Sequence, residues 1–447
     1  LSLALNALRK FAFIAPFMAC LAAAETPAAQ PAGGTDRPLP ASSAAEPVYA
    51  AARPRLLQIR TLVAGSGRQS SIGSGFVVSA DGLAISNYHV VSQYALEPAT
   101  YRMEFATADG ARGAVKLLAI DVANDLALIR IDRAEGPFFA FDERALTGTL
   151  PKGERLYAMG NPLDLGFTIV EGTYNGTVER SFNERIHFTA PINPGMSGGP
   201  AVTSEGRLIG INVAKQLGSD LVSFLVPGRF AAALLDKVPA EAPSPKELRA
   251  EIGRQLARRQ TALMRSLDRE GYRPTVLGPY EAPESAAPWF NCWGQTNAGE
   301  VPKPRADVST TRCNSDTRIF VAGDLSTGQV SLTHSYLKSV DLNSFQFAAL
   351  LSRQNQPAPM GWSRKWHTRA RCEESWLAAT ATRPPLRAVW CARAYREFEG
   401  LYDVWLTTVT EDRSGEALVS RLAIEGIAYD NALAEARGLL DAIRWKK

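Results

Sequence analysis

GSGFVVSADGLAISNYHVV (Gly73–Val91) is the stretch on which the fold turns. Phe76, Val77 and Val78 make one short apolar run, and Leu83, Ala84 and Ile85 make a second. Asp81-Gly82 stands between them. Asp-Gly is a strong hairpin signal, because the turn needs a positive φ that glycine adopts freely. The segment predicts two antiparallel strands, with Asn87, Tyr88 and His89 leaving the second. A lone histidine beyond a strand is ordinarily a satisfied packing residue. The stretch thus fixes local structure before it fixes any chemistry.

The same pattern continues downstream. DLALIRID (Asp125–Asp132), RIHFTA (Arg185–Ala190) and RLIGINVA (Arg207–Ala214) read as short strands, and Ser204–Gly206 as a turn. Many short strands between glycine-rich turns predict a mainly β domain, a sandwich or barrels, over 48–238. Upstream, residues 25–47 are rich in Ala, Pro, Ser and Gly and read as a disordered linker, with order expected to begin near Val48. Residues 1–24 carry Arg9 and Lys10, a short apolar run and Ala22-x-Ala24. That pattern predicts a secretory signal peptide and a secreted or periplasmic protein. The run is short for a membrane span and Pro16 interrupts it, so no stable membrane insertion is expected after cleavage. Cys20 fits a lipoprotein site poorly.

Of 447 residues, 46% are hydrophobic, and 49 basic against 45 acidic residues leave a net charge of +4. No dense Lys/Arg block occurs, which argues against nucleic acid as a partner. After a proline-rich break, residues 245–272 place Leu248, Ile252, Leu256, Leu263 and Leu267 at helical spacing. The basic face of that helix is expected to be simply solvated. Residues 275–447 read as a separate α+β accessory domain holding the eight tryptophans. Hairpins are expected around Ser326-Thr327-Gly328 and Arg413-Ser414-Gly415, and a C-terminal helix capped by Asp430. Cys292, Cys313, Cys372 and Cys391 allow three pairings, of which Cys292–Cys313 and Cys372–Cys391 are the most local. Each local bridge would close a loop of about 20 residues, worth roughly 3 kcal/mol. No close cysteine pair suggests zinc, and no metal or organic cofactor is expected. His187, His334 and His367 read as structural, and most tryptophans as core.

One serine stands in NPGMSGGP (Asn193–Pro200). Acyl transfer needs a base near the hydroxyl, a group orienting the base, and donors for the oxyanion. His89 and Asp125 lie in the same all-β segment, in the order His, Asp, Ser.

At this point residues from about 55 to 230 resemble the trypsin-like serine proteases, most closely the bacterial HtrA/Deg type. The resemblance is carried by GSGFVVSADGLAISNYHVV, DVANDLALIRID, GNPLDLGFTIVEGTYNG, APINPGMSGGPAV, GRLIGINVA and LVSFLVP. It implies two antiparallel β-barrels, a chymotrypsin-like fold, and a serine endopeptidase acting on protein or peptide substrates. Ser197 would be the nucleophile, His89 the base and Asp125 its orienting acid. The N–H groups of Gly195 and Ser197 would form the oxyanion hole. Met196 stands where trypsin-like zymogens have an aspartate, so activation by N-terminal ion pairing is not expected. Pro191 stands where a pocket for Lys or Arg would want a carboxylate. A small to medium apolar pocket is therefore expected, edged by Pro191, Ile192 and the strand Ile211, Asn212, Val213. No PDZ-like segment is recognisable. The alternative reading is a silent or latent protease-fold binding protein whose C-terminal domain carries the main interaction. The sequence leaves the oligomeric state open.

Overall fold

The structure, a computed structural model, describes residues 44–215, 222–356 and 361–446. The expected signal peptide, Cys20 and nearly all of the expected linker lie outside the described residues. Helix α1 (Ala45–Ala52) begins slightly before Val48, and buries Ala45, Val48 and Ala52.

The hairpin read from Gly73–Val91 is present. Its strands belong to a closed barrel of β1 (Leu56–Val63), β2 (Gln69–Val77), β3 (Leu83–Ser86), β4 (Tyr101–Thr107), β5 (Arg112–Asp121) and β6 (Leu126–Ile131). Phe76 pairs with Ile85 and Val77 with Ala84 across the Asp81-Gly82 turn. Helix α2 (Tyr88–Leu96) follows β3 directly and carries His89 in its first turn. After a short helix α3 (Glu143–Thr147) comes a second closed barrel. It is built from β7 (Arg155–Gly160), β8 (Thr168–Thr177), β9 (Ile186–Thr189), β10 (Pro200–Val202), β11 (Leu208–Lys215) and β12 (Ser223–Pro227), closed off by α4 (Gly228–Leu235). Both barrels are antiparallel, as expected. Phe76, Ile85 and Leu128 of the first meet Tyr157, Met159, Ile211 and Val226 of the second in one apolar cluster. This seam holds the two barrels in fixed relation, and the candidate site lies along it.

Helix α5 (Pro245–Glu270) starts at Ser244, which forms a capping box with Glu247. Its 26 residues span roughly 39 Å. Leu248, Ile252 and Leu256 enter the first barrel's cluster, while Leu263, Met264 and Leu267 enter the core of the C-terminal region. On its outer face Glu251 pairs with Arg254 and Arg258.

The C-terminal region has its own sheets. Strands β13 (Tyr272–Leu277), β14 (Tyr280–Ser285), β15 (Phe290–Thr296) and β16 (Ala306–Ser315) precede a two-stranded hairpin, β17 (Ile319–Ala322) and β18 (Leu325–Thr327). Then follow β19 (Val330–Ser339), α6 (Ser344–Gln354), β20 (Arg371–Leu377), β21 (Leu386–Ala394), β22 (Tyr402–Thr410), β23 (Glu416–Ile427), α7 (Tyr429–Ala442) and β24 (Arg444–Trp445). The large sheet runs β15-β16-β19-β23-β22-β21-β20. The local cysteine pairing is the one formed. Cys292–Cys313 joins β15 to β16, and Cys372–Cys391 joins β20 to β21.

Two details differ from the sequence reading. The turn expected at Ser326–Gly328 lies at Gly323-Asp324, because Ala322 pairs with Leu325 and Ile319 with Thr327. Gly328, at φ +81°, instead lets the chain leave β18 for β19. Asp430 sits inside the first turn of α7, where a carboxylate suits the helix dipole, and the cap position is Ala428. The β17–β18 hairpin also ties the regions together. Ile319, Val321, Ala322 and Leu325 lie in the first barrel's apolar cluster with Leu57, Ile59 and Val90. Trp289, Trp366 and Trp405 are buried, while Trp293, Trp362 and Trp376 are exposed.

Candidate active site

Asn87 follows β3 as the extended cap residue of α2, whose first N–H groups have no partner within the helix. Asp125 supplies their partner. Its Oδ1 accepts the His89 N–H at 2.9 Å, and its Oδ2 lies 2.7 Å from His89 Nδ1. The same residue's carbonyl accepts the Tyr88 N–H at 3.1 Å and the Asn87 side-chain amide at 2.7 Å. One aspartate thus caps the helix and orients the imidazole. Asp125 holds φ +61°, a left-handed conformation that aspartate tolerates better than most residues. Burial alone would lower the His89 pKa. The charge of Asp125 and its hydrogen bond outweigh burial and raise it above 6.5.

The serine loop approaches from the second barrel. The Ser74 N–H donates to the Ser197 carbonyl at 2.7 Å, and the Gly198 N–H to the Asn212 carbonyl at 2.8 Å. Gly198 takes φ +86°, and a Cβ there would sit 2.2 Å from the Ser74 carbonyl and 2.9 Å from the Asn87 nitrogen. Only glycine lets this loop pass so close to the start of α2. Ser197 Oγ donates to the Val213 carbonyl at 3.3 Å. Among the described residues it makes no hydrogen bond to His89. Catalytic hydrogen bonds are often loose before substrate binds.

Gly195 adopts φ +93°, and a Cβ would lie 2.4 Å from the Asn161 carbonyl. Its carbonyl accepts from Ser74 Oγ at 2.7 Å, and that oxygen also accepts the Asn161 N–H at 2.9 Å. The Pro194 carbonyl accepts the Leu163 N–H at 3.0 Å. These bonds turn the neighbouring carbonyls inward, and among the described residues the N–H groups of Gly195 and Ser197 have no backbone acceptor. Met196, where the zymogen aspartate would stand, is fully buried in the second barrel's core. Apolar burial anchors the loop here in place of an ion pair.

The five residues expected to edge a pocket divide. Pro191 is exposed and Val213 half-buried. Ile192 and Ile211 point into cores. Asn212 is a clamp, not a pocket wall: its side-chain amide donates to the carbonyls of Met159 and Met196. The other three histidines are divided between the second barrel and the C-terminal region. His187 lies on β9, and His367 is buried. His334 is buried between Ser420 and the Pro283 carbonyl, and burial pushes its pKa down to about 4.

One neighbour was not legible in the sequence. The Phe320 ring, from the β17–β18 hairpin, stands edge-on to His89 with centroids 6.1 Å apart. The Tyr88 hydroxyl donates to the Val321 carbonyl at 2.9 Å. No local pattern signals a contact between residues so distant in sequence.

A family model of the trypsin-like peptidase domain matches residues 73–211. The protein named "probable periplasmic serine endoprotease DegP-like" of Chlamydia muridarum is 31% identical over 179 residues, 38% of this chain and 34% of that one. Its namesake in Marinomonas is 29% identical over 182 residues, 39% of this chain and 37% of that one. The chain thus spans about a third of the length of these curated relatives. The solved serine endoprotease from Yersinia pestis is 26% identical, with a TM-score of 0.38, covering 45% of this chain and 67% of that one. Among the described residues, no helix is long and apolar enough to cross a membrane.

Proposed function

We propose that this chain, which belongs through residues 73–211 to the trypsin-like peptidases, is a serine endopeptidase of protein or peptide substrates. The observation that carries the reading is the His89 Nδ1–Asp125 Oδ2 contact of 2.7 Å beside the serine loop. In the proposed reaction Ser197 Oγ attacks the scissile carbonyl carbon. His89 Nε2 takes the hydroxyl proton and passes it to the leaving amine, as the acyl–Ser197 ester forms. A water, activated by the same imidazole, then attacks the ester carbonyl and frees Ser197. Asp125 keeps Nδ1 protonated and stabilises the imidazolium. The N–H groups of Gly195 and Ser197 stabilise the oxyanion in both steps. The sequence around Pro191 and Val213 supports an apolar residue at the cleaved position. The basic, apolar, A-x-A character of residues 1–24 supports export, and the relatives' names are those of periplasmic enzymes. Ser197→Ala should lower kcat by roughly 10⁴–10⁶-fold while leaving the fold intact. Folded wild-type protein should label with a fluorophosphonate probe at Ser197, located by mass spectrometry. Labelling elsewhere, or a mild loss in the variant, would show the nucleophile to be another residue.

A further inference from the structure

A cavity of about 620 Å³ opens beside Asp125. Its inner wall is Val122, Ala123, Val213 and Phe224 of the barrels, and its outer wall is Ile319 and Phe320 of the C-terminal hairpin. Val213, expected to edge the pocket for the cleaved residue, also lines this cavity. A peptide whose cleaved residue occupies that pocket would lay its preceding residues here.

The cavity is also charged. Arg180, Arg185 and Arg318 line it together with Asp125 and Asp316. Arg185 is half-buried, and burial lowers its pKa, opposed by the charges of Asp125, Asp121, Asp316 and Glu184. Among the described residues none of those carboxylates forms a hydrogen bond or ion pair with Arg185. Asp125 holds His89, Asp121 bonds Asn124, Asp316 accepts from Ser181 at 2.6 Å, and Glu184 pairs with Arg229. Among the described residues, the Arg185 guanidinium hydrogen-bonds only the neighbouring Glu184 carbonyl, at 2.9 Å. Arg318 bonds the Gln329 side chain, a neutral acceptor. A desolvated arginine lacking a carboxylate of its own favours a carboxylate brought by a ligand, ideally as a forked pair.

We propose that this cavity is a composite substrate subsite, walled by the C-terminal hairpin, whose Arg185 and Arg318 select an acidic side chain two to four residues before the cleaved bond. The proposal rests on the endopeptidase reading, and its test separates the two. Fluorogenic peptides of one sequence, carrying Glu, Gln or Lys at the second, third or fourth residue before the bond, are turned over by the full chain. Glu should exceed Gln in kcat/KM by about tenfold at one of these positions, the range of one charge-assisted hydrogen bond. Arg185→Gln should bring that ratio near one, and Arg185→Glu should turn the preference toward Lys. Arg318→Gln, at an exposed position, gives a second reading should the Arg185 variants melt early. Equal use of Glu and Gln at all three positions, or a Glu preference surviving in both Gln variants, would overturn the subsite. The same peptides, labelled, are bound to Ser197→Ala protein and followed by fluorescence anisotropy. Tighter binding of the Glu peptide, lost on adding Arg185→Gln, supports the subsite even if no turnover is found. No discrimination in binding overturns it whatever the activity.

Discussion

Ser74→Ala tests how the serine loop is held. Ser74 Oγ is buried, donates to the Gly195 carbonyl at 2.7 Å and accepts the Asn161 N–H at 2.9 Å. Alanine removes the oxygen and leaves both backbone groups without that partner. A buried polar group left unsatisfied costs about 1–3 kcal/mol, so the pair should cost roughly 2–4 kcal/mol once some relaxation is allowed. The damage falls on the Gly195–Met196 peptide, next to the Pro194–Gly195 peptide that presents the Gly195 N–H. Loss of one oxyanion donor costs roughly 10²–10³-fold in kcat, and a loop that populates the right geometry only part of the time should lose about 10–10². Urea unfolding would read the stability change. Titration of active sites with a fluorophosphonate, alongside kcat on a peptide, would separate fewer competent molecules from slower ones. Ser326→Ala, at an exposed position on β18, controls for serine loss in general. Unchanged kcat together with a stability loss below about 0.5 kcal/mol would refute the reasoning.

Because Asp125 raises the His89 pKa, kcat/KM should climb with pH as the imidazolium loses its proton, with a midpoint above 6.5. Asp125→Asn should move that midpoint down, since burial then acts alone, and cut kcat by about 10⁴-fold; a pH–rate profile of both proteins checks this. Glu425 is pushed up to about 7 by burial and then by the Asp403 charge. The folded state therefore holds its proton more tightly than the unfolded state, so stability falls as pH rises from the ordinary carboxylate range to about 7. Glu425→Gln should gain roughly 1–3 kcal/mol at pH 8 and nothing at pH 4, read by chemical denaturation at both. Replacing both Cys292 and Cys313 by serine should cost roughly 3 kcal/mol in the C-terminal region, measured by calorimetry with and without reductant.

The barrels were legible because their signals are local. Alternation and Asp81-Gly82 specify β2 and β3 without reference to the rest of the chain. The candidate site was legible as a proposal because Ser197, His89 and Asp125 form a chemically distinctive set in the order His, Asp, Ser. What failed to show was anything set by distant packing. Ser326-Thr327-Gly328 has good turn composition, yet pairing of Ala322 with Leu325 moved the turn to Gly323-Asp324. Asn212 reads as part of a strand edging the pocket, and only the fold reveals its amide between two carbonyls. Met196 was legible as a departure, but its apolar anchorage needed the second barrel around it. Phe320 carried no signal at all.

The Tyr88–Val321 bond joins positions 233 residues apart, and Ile319, Val321 and Leu325 belong to the first barrel's own apolar cluster. That barrel is the first part of the described chain to be synthesised and among the last to be finished. Contacts of such long range are slow to form, because a large loop must close before they stabilise anything. Until residues near 320 arrive, the surface around Tyr88 and Val90 stays open and His89 lacks its aromatic neighbour. The first barrel's apolar cluster is therefore complete only once residues near 320 have joined it. A chain cut before residue 275 would test whether the barrel can close, rather than whether the tail matters to chemistry.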